Sequence, residues 1–587
     1  MVSVSNRVII VGAGHAGVEA ALACSRKGVE TLVVTTNFDR ISYMSCNPSI
    51  GGLGKGHMVK EIDILGGEMA RAADSSCIQF KRLNARKGPA VRGSRAQCDK
   101  DIYSQYMTDF LRSSPKTTLV KGEAQKLILE GNRCCGVFLS DGSELRAGAV
   151  VITAGTFMNA VMHLGLEKKS GGRVGDEATH GLSDQLRDFG FNVGRLKTGT
   201  PPRLHRDSID WSKTSPQYGD EKFTPFSFMT TEGLRLEQIP CYLTYTNAQT
   251  HEIIEKNLNS SPMFTGAIEG LGPRYCPSIE DKITRFKDKD RHQTFLEPEG
   301  IGSESIYLQG ISTSLPEKIQ YEFLRTIPGL ENVELIRPGY AVEYDFIEPT
   351  QLWHSLETKN IEGLFLAGQV NGTSGYEEAA AQGLVAGANA SAKILEQELF
   401  TLGREEAYIG VLIDDLVIKG TKEPYRMMTS RAEHRLVLRE DNNIERLFEK
   451  ALSKGLLTEV RKARAEALLN RRKQLMASLD RHVLVPNAET QGALAELNTS
   501  SLQKPASLSE LLRRPELSCP DMRRFGAIDV EDPMVWEPVE IHVKYTGYIN
   551  RQNELINLAK RLEAMTIPAD INYDLIKGLS TEEREKL

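Results

Sequence analysis

Two cysteines stand in dense local motifs of a kind that suits covalent chemistry. Cys46 lies in Ser45-Cys46-Asn47-Pro48-Ser49-Ile50-Gly51-Gly52, and Cys276 in Gly272-Pro273-Arg274-Tyr275-Cys276-Pro277-Ser278-Ile279-Glu280. A thiolate is strongly nucleophilic even when only a small fraction is ionised near neutral pH. Beside a redox cofactor, two such groups could add to an electron-poor ring and manage its protons. The other cysteines (Cys24, Cys77, Cys98, Cys134, Cys135, Cys241 and Cys519) read as small buried hydrophobes. None is spaced as CxxC, so neither a dithiol centre nor a structural metal is expected.

The elements that would position this chemistry begin at the N-terminus. A β-type run, Arg7-Val8-Ile9-Ile10-Val11, leads into Gly12-Ala13-Gly14-His15-Ala16-Gly17, a helical pattern to Lys27 and a second β-type run from Glu30 to Thr35. Strand, GxGxxG, helix, strand is the order of a dinucleotide-binding unit. Gly12 permits the tight turn, Gly14 lets backbone approach a pyrophosphate, and Gly17 lets helix pack on strand. The helix N-terminus then faces the phosphates. The acidic residue that usually grips the adenosine ribose is absent, with Thr35, Thr36 and Asn37 in its place, which weakens an NAD assignment more than an FAD one. Two later strand-and-glycine units, 149–156 and 363–369, the second followed by a Gly- and Ala-rich helix over 377–392, favour one FAD domain assembled from distant pieces.

The chain has 587 residues, 40% hydrophobic and 26% charged, which predicts two to four ordinary globular domains. A net charge of −6 excludes an all-over basic coat for nucleic acid. No leader pattern and no apolar run long enough to span a bilayer is present, so a reduced, soluble, cytoplasmic protein is expected. The expected fold is α/β: a Rossmann-like, glutathione-reductase-like FAD-binding domain over 1–199 and 281–398. An inserted α+β domain spans 200–280, and a C-terminal α-helical domain spans 399–587.

Three basic stretches suggest contact with a polyphosphate backbone. Residues 81–95 contain no acidic residue. Arg431, Arg435 and Arg439 recur every fourth residue and predict one helix face, with Glu433 and Glu440 near enough to pair with part of it. Arg461, Lys462, Arg464, Arg471, Arg472 and Lys473 form a further cluster. Gly51-Gly52-Leu53-Gly54-Lys55-Gly56 is not a Walker loop, because Ser49 replaces the first glycine and Gly56 the Ser or Thr after the lysine. Its glycines suit close approach to a flat cofactor ring.

Four stretches carry a family resemblance: 45–60, 272–286, 367–383 (Ala-Gly-Gln-Val-Asn-Gly-Thr-Ser-Gly-Tyr-Glu-Glu-Ala-Ala-Ala-Gln-Gly) and Arg195-Leu196-Lys197-Thr198-Gly199-Thr200-Pro201-Pro202-Arg203. Together they resemble the GidA family, also called MnmG, of tRNA uridine 5-carboxymethylaminomethyl modification enzymes. The resemblance implies an FAD enzyme that uses NADH and 5,10-methylenetetrahydrofolate to modify C5 of the wobble uridine of tRNA. It further implies a homodimer working with a GTPase partner, MnmE, in a heterotetramer with two copies of each. Carried over by position, Gly12, Ala13, Gly14, His15, Ala16, Gly17, Ala124, Thr179 and Gln369 would contact FAD. Gly272, Pro273, Arg274, Tyr275, Ser278, Glu280 and Lys282 would belong to the nicotinamide site, and Cys46 and Cys276 would be catalytic.

Two departures stand out: His434 replaces the aromatic of the family's Arg-Ala-Glu-Tyr-Arg motif, and similar proteins continue past position 587 with more helix that helps hold the GTPase. Rival readings are a folate- and FAD-dependent tRNA uracil-5-methyltransferase, a flavoprotein oxidoreductase acting on a small metabolite, and an RNA-binding scaffold that keeps FAD for structure. The first lacks a long helical C-terminal domain, and the 272–286 motif argues against it.

Overall fold

Five short strands form a parallel sheet in the order Leu364–Leu366, Ala149–Ile152, Arg7–Val11, Glu30–Thr35, Thr117–Lys121. Strands covered on both faces need apolar residues at successive positions, which is why RVIIV, AVVI and LFL show no alternation. The computed structural model describes residues 6–274, 277–526, 528–563, 565–566, 568 and 571–586. Two expected site residues, Tyr275 and Cys276, lie outside the described residues.

The sheet joins strands far apart in sequence, and a helix pair seals the join. His15–Arg26 packs against Tyr376–Ile394 with small residues at the crossing. A Cβ on Gly383 would stand 2.0 Å from the Ala16 carbonyl oxygen, and one on Gly387 2.3 Å from that of Ala20. Any side chain at either position would push the helices apart.

The inserted unit expected over 200–280 continues to Arg337. Its antiparallel sheet runs Ser215–Gln217, Cys241–Tyr245, Gln293–Pro298, Ser305–Gln309, Arg203–His205, Leu335–Arg337. A boundary at 280 would part Cys241–Tyr245 from its partner Gln293–Pro298 and cut a separate core that includes Leu296, Leu308 and Phe323. The chain enters this unit through Val193–Thr200 and leaves through Tyr340–Ile347. These two strands pair antiparallel along their whole length, Thr200 opposite Tyr340 and Val193 opposite Ile347.

Beyond Leu402 the chain is mainly helical, with Asn443–Ser453, Glu459–Arg481 and the 31-residue Pro533–Glu563 as its long helices. The helix face expected for Arg431, Arg435 and Arg439 is not formed. Thr429–Arg431 is a single 3-10 turn, and no regular helix follows until Asn443. Arg439 is buried and closes a fork on Asp441, while Arg431 lies over the Tyr425 ring at 4.0 Å. Among the described residues no helix is long and apolar enough to cross a membrane.

Candidate active site

A cavity of about 830 Å³ opens where the parallel sheet, the inserted unit and the 45–56 loop meet. Gly12, Ala13, Gly14, His15 and Ala16 form one wall, with Ala124, Thr179 and Gln369 around it. Cys46, Pro273, Pro277 and Lys282 line the same space. Gly272 and Arg274 line an adjoining pocket of about 240 Å³ that shares Pro273 and Pro277.

The three motif glycines have three different reasons to be glycine. Gly12 has φ +102°, and a Cβ there would lie 2.6 Å from the Thr153 carbonyl oxygen. At Gly17 a Cβ would meet the Gly12 carbonyl oxygen at 1.9 Å, so this residue sets how closely helix approaches turn and does not line the cavity. A Cβ at Gly14 would meet no protein atom within 4 Å. Gly14 caps its helix without a side-chain bond, so the first amides and the positive end of the dipole face the cavity. The Nε2 of His15 and the hydroxyl of Thr179 are buried with no hydrogen-bond partner among the described residues. Burial lowers the His15 pKa to about 3, so its ring is neutral and stacks on Tyr376, centroids 4.4 Å apart. A bare glycine cradle, a helix N-terminus and unpartnered donors are what a dinucleotide such as FAD needs, and the residues fit it.

At the end of the second strand, the Asn37 side chain accepts the Asp39 amide and donates to Asp176. Two acidic residues line this cavity: Glu123, from the turn after Thr117–Lys121, and Glu377, which is already bonded to Lys55 and the Gly51 amide.

The 51–56 loop is not a phosphate loop. Lys55 is buried and bonded to Glu377 at 2.9 Å and Glu378 at 3.0 Å, and the other oxygen of Glu377 accepts the Gly51 amide. Gly52, with φ +114°, presents an open face like that of Gly14.

Cys46 is half-buried and held on every side. Its amide donates to the Tyr376 hydroxyl at 2.7 Å, and its carbonyl accepts from Arg203 at 2.7 Å. Its Sγ lies 3.6 Å from the Tyr307 hydroxyl. Arg203 is 1% exposed, stacks over the Tyr307 ring at 4.5 Å and pairs with Glu299 at 2.8 Å. Burial opposes ionisation of Glu299, but Arg203 and Lys100 overcome it and hold the pKa at about 2.

The segment bearing Cys276 is pinned at both flanks. Glu343 accepts the amides of Glu269 and Gly270, and Lys197 donates its amide to the Leu271 carbonyl. Downstream, Ser278 caps the helix Ile279–Arg285 and the Ile279 amide reaches the Ser312 carbonyl. Of the expected nicotinamide-site residues, Ser278 and Glu280 have structural partners and lie outside the two pockets. Glu280 is buried and accepts from the Thr313 hydroxyl and Ser314 amide.

Most of the basic clusters are spent inside the protein. Arg82 and Arg92 pair with Glu537, and Arg95 pairs with Glu297. Arg461 pairs with Asp63 and Glu68, Arg471 with Asp529 and Asp532, and Arg472 with Glu445. Arg86 and Lys87, at the tip of the 81–95 segment, are exposed.

Arg203 and Tyr376 lay within motifs conspicuous in the sequence, but nothing marked them as neighbours of Cys46. Tyr307 sits in the plain strand Ser305–Gln309, where no local signal exists.

A family model described as "Glucose inhibited division protein A" matches residues 7–398. A second, "tRNA modifying enzyme MnmG/GidA C-terminal helical domain", matches residues 459–553. A protein of Bdellovibrio bacteriovorus named "tRNA uridine 5-carboxymethylaminomethyl modification enzyme MnmG" is 60% identical, over 99% of this chain and 90% of its own. A relative of the same name from Geobacter sulfurreducens is 52% identical over 99% of this chain and 92% of its own. The form II crystal structure of Aquifex aeolicus GidA superposes with a TM-score of 0.89 at 44% identity, covering 100% of this chain and 94% of that one.

Proposed function

This chain belongs to the GidA family, and on that premise we propose that it is an FAD-dependent enzyme that modifies the wobble uridine of tRNA. The proposed product carries an aminomethyl-type or carboxymethylaminomethyl group at C5, with NADH as reductant and 5,10-methylenetetrahydrofolate as one-carbon donor. The proposed assembly is a homodimer that joins two copies of a GTPase partner, MnmE.

The observation that carries this reading is that Cys46 lines the same cavity as the Gly12–Ala16 turn. FAD, when bound, supplies the redox step of one-carbon transfer. The residues of the chain do the rest. Gly14 and the start of helix His15–Arg26 would hold the pyrophosphate, and Gly52 would let backbone lie against a flat ring. Uracil C5 is a weak nucleophile. A thiolate that adds at C6 moves electron density to C5, which can then attack an electrophilic carbon; removal of the C5 proton by a base and expulsion of the sulfur then restore the ring. Cys46 and Cys276 divide addition and proton management between them. Pro277, bonded directly to Cys276, lines the cavity, which supports a role for the second thiol in the same space.

Mass spectrometry of wobble nucleosides from cells with and without the protein tests the reading. Loss of the C5 aminomethyl-type group on deletion is the expected result. Loss of a ring methyl instead would identify the methyltransferase chemistry, and unchanged nucleosides would remove tRNA modification altogether.

A further inference from the structure

We propose that Tyr307 is a catalytic residue, whose phenol donates a hydrogen bond to the thiolate of Cys46 and so keeps that sulfur ionised near neutral pH. This deepens the functional reading above and rests on it for the identity of the reaction, though not for the ionisation itself.

The geometry begins with a strand pairing. Arg203–His205 runs antiparallel to Ser305–Gln309, and Arg203 stands directly opposite Tyr307 in the register. Directly opposed residues share a face, so the guanidinium lies over the phenol ring, 4.5 Å from its centroid. Arg203 cannot swing away. Its other donors reach Glu299, the Thr200 hydroxyl at 2.9 Å and the Pro201 carbonyl at 2.8 Å. The same side chain takes the Ser45 and Cys46 carbonyls, so one buried cation fixes both the phenol and the backbone that carries the thiol. Tyr376 completes the frame by accepting the Cys46 amide. Backbone fixed at both amide and carbonyl leaves the sulfur little freedom except rotation about Cα–Cβ, and it rests 3.6 Å from the Tyr307 hydroxyl.

The direction of the bond follows from acidity. A thiol ordinarily ionises about 1.5 pH units below a phenol, so the sulfur releases its proton while the phenol keeps its own and donates. A guanidinium over the ring face makes the phenol a better donor, and the acidity gap between thiol and phenol keeps the proton on the oxygen. During reaction the sulfur lone pair forms the S–C6 bond and the C5–C6 π pair moves into the ring. Charge leaves the sulfur and its hydrogen bond weakens. The C5 carbanion attacks the electrophilic carbon. On elimination the second cysteine, as thiolate, takes the C5 proton, the C5–H pair re-forms the C5–C6 double bond, and the S–C6 pair returns to sulfur, where the phenol receives it. No electron is gained or lost in the exchange, and the proton first shed by the thiol passes to water in the open cavity.

The test uses the full-length, flavin-loaded protein and Tyr307→Phe, which keeps the ring under Arg203. Iodoacetamide alkylation is followed by mass spectrometry of tryptic peptide 41–55, in which Cys46 is the single cysteine. Alkylation of Tyr307→Phe at neutral pH should be about tenfold slower, and its midpoint about one pH unit higher, as for loss of one hydrogen bond to an anion. tRNA modification should fall with it and recover as pH is raised, a recovery that a packing defect would not give. A midpoint that matches the parent protein overturns the proposal, as does a parent Cys46 that alkylates no faster than an ordinary thiol. If nucleoside analysis removes tRNA modification while the alkylation shift is found, the thiolate assignment stands and only the reaction is lost.

Discussion

Glu377 bonds Lys55 at 2.9 Å with one carboxylate oxygen and the Gly51 amide at 2.7 Å with the other. One side chain thus ties the glycine loop downstream of Cys46 to the helix Tyr376–Ile394, which closes the parallel sheet. Glu377→Gln leaves Lys55 with Glu378 alone and should cost about 2 kcal/mol of unfolding free energy, because a buried cation loses half its neutralisation. Denaturant unfolding measures the loss, and flavin retained on gel filtration should fall in parallel.

The glycines of the turn separate folding from binding. Gly17→Ala drives a methyl group onto the Gly12 carbonyl and should destabilise the apoprotein by about 1–3 kcal/mol. Gly14→Ala meets no protein atom, and its φ of −74° suits alanine. That variant should melt with the parent as apoprotein and yet bind FAD at least tenfold more weakly. Calorimetry of the stripped protein followed by flavin titration reads both.

Acid sensitivity follows from Glu299. Its pKa is depressed in the folded state from the ordinary 4.5 to about 2, so the folded protein holds fewer protons than the unfolded chain between those values. The stabilisation is fully present above pH 4.5 and is lost as pH falls towards 2. It amounts to about 3 kcal/mol at most. Glu299→Gln should be less stable than the parent at neutral pH and should lose less on acidification. Urea midpoints at a series of pH values would show the two curves converging at the acid end.

Arg461 and Lys87 should behave oppositely. Arg461→Gln leaves Asp63 and Glu68 buried without their cation and should cost about 3–5 kcal/mol of stability while leaving the tRNA affinity of folded protein unchanged. Lys87→Gln, at an exposed turn, should leave the melting curve unchanged. If the 81–95 tip meets RNA, this change lowers the slope of log affinity against log salt by about one.

Four strands of the parallel sheet were legible because their signals are local: apolar runs, glycines at fixed offsets and a helix rich in small residues. The edge strand Thr117–Lys121, TTLVK and only partly buried, gives no such signal. The extent of the inserted unit was not legible either. Arg203–His205 and Leu335–Arg337 are three-residue strands whose pairing joins segments more than a hundred residues apart. The arginines misled for a related reason. A charge reads as exposed when its partner is far away in sequence, and Arg82 meets Glu537 while Arg461 meets Asp63. The four-residue spacing of Arg431, Arg435 and Arg439 mimicked a helix because periodicity says nothing about Asp441 or the Tyr425 ring. Cys46 was found from its motif. The phenol beside it follows from a strand register that sets Tyr307 opposite Arg203 and from the 3.6 Å approach of its hydroxyl to the sulfur, neither of which local sequence encodes.

The crossing of Gly383 and Gly387 on Ala16 and Ala20 also bears on when the protein becomes competent during synthesis. The first strand and its glycine turn leave the ribosome early, but the helix that clamps them ends at Ile394. A nascent chain that ends before that point exposes the apolar back of its first helix, and one that ends before Gln369 has neither Gln369 nor Tyr376 beside the turn. Flavin capture is therefore a late event, and a premature stop anywhere upstream yields a fragment prone to aggregate rather than a smaller flavoprotein.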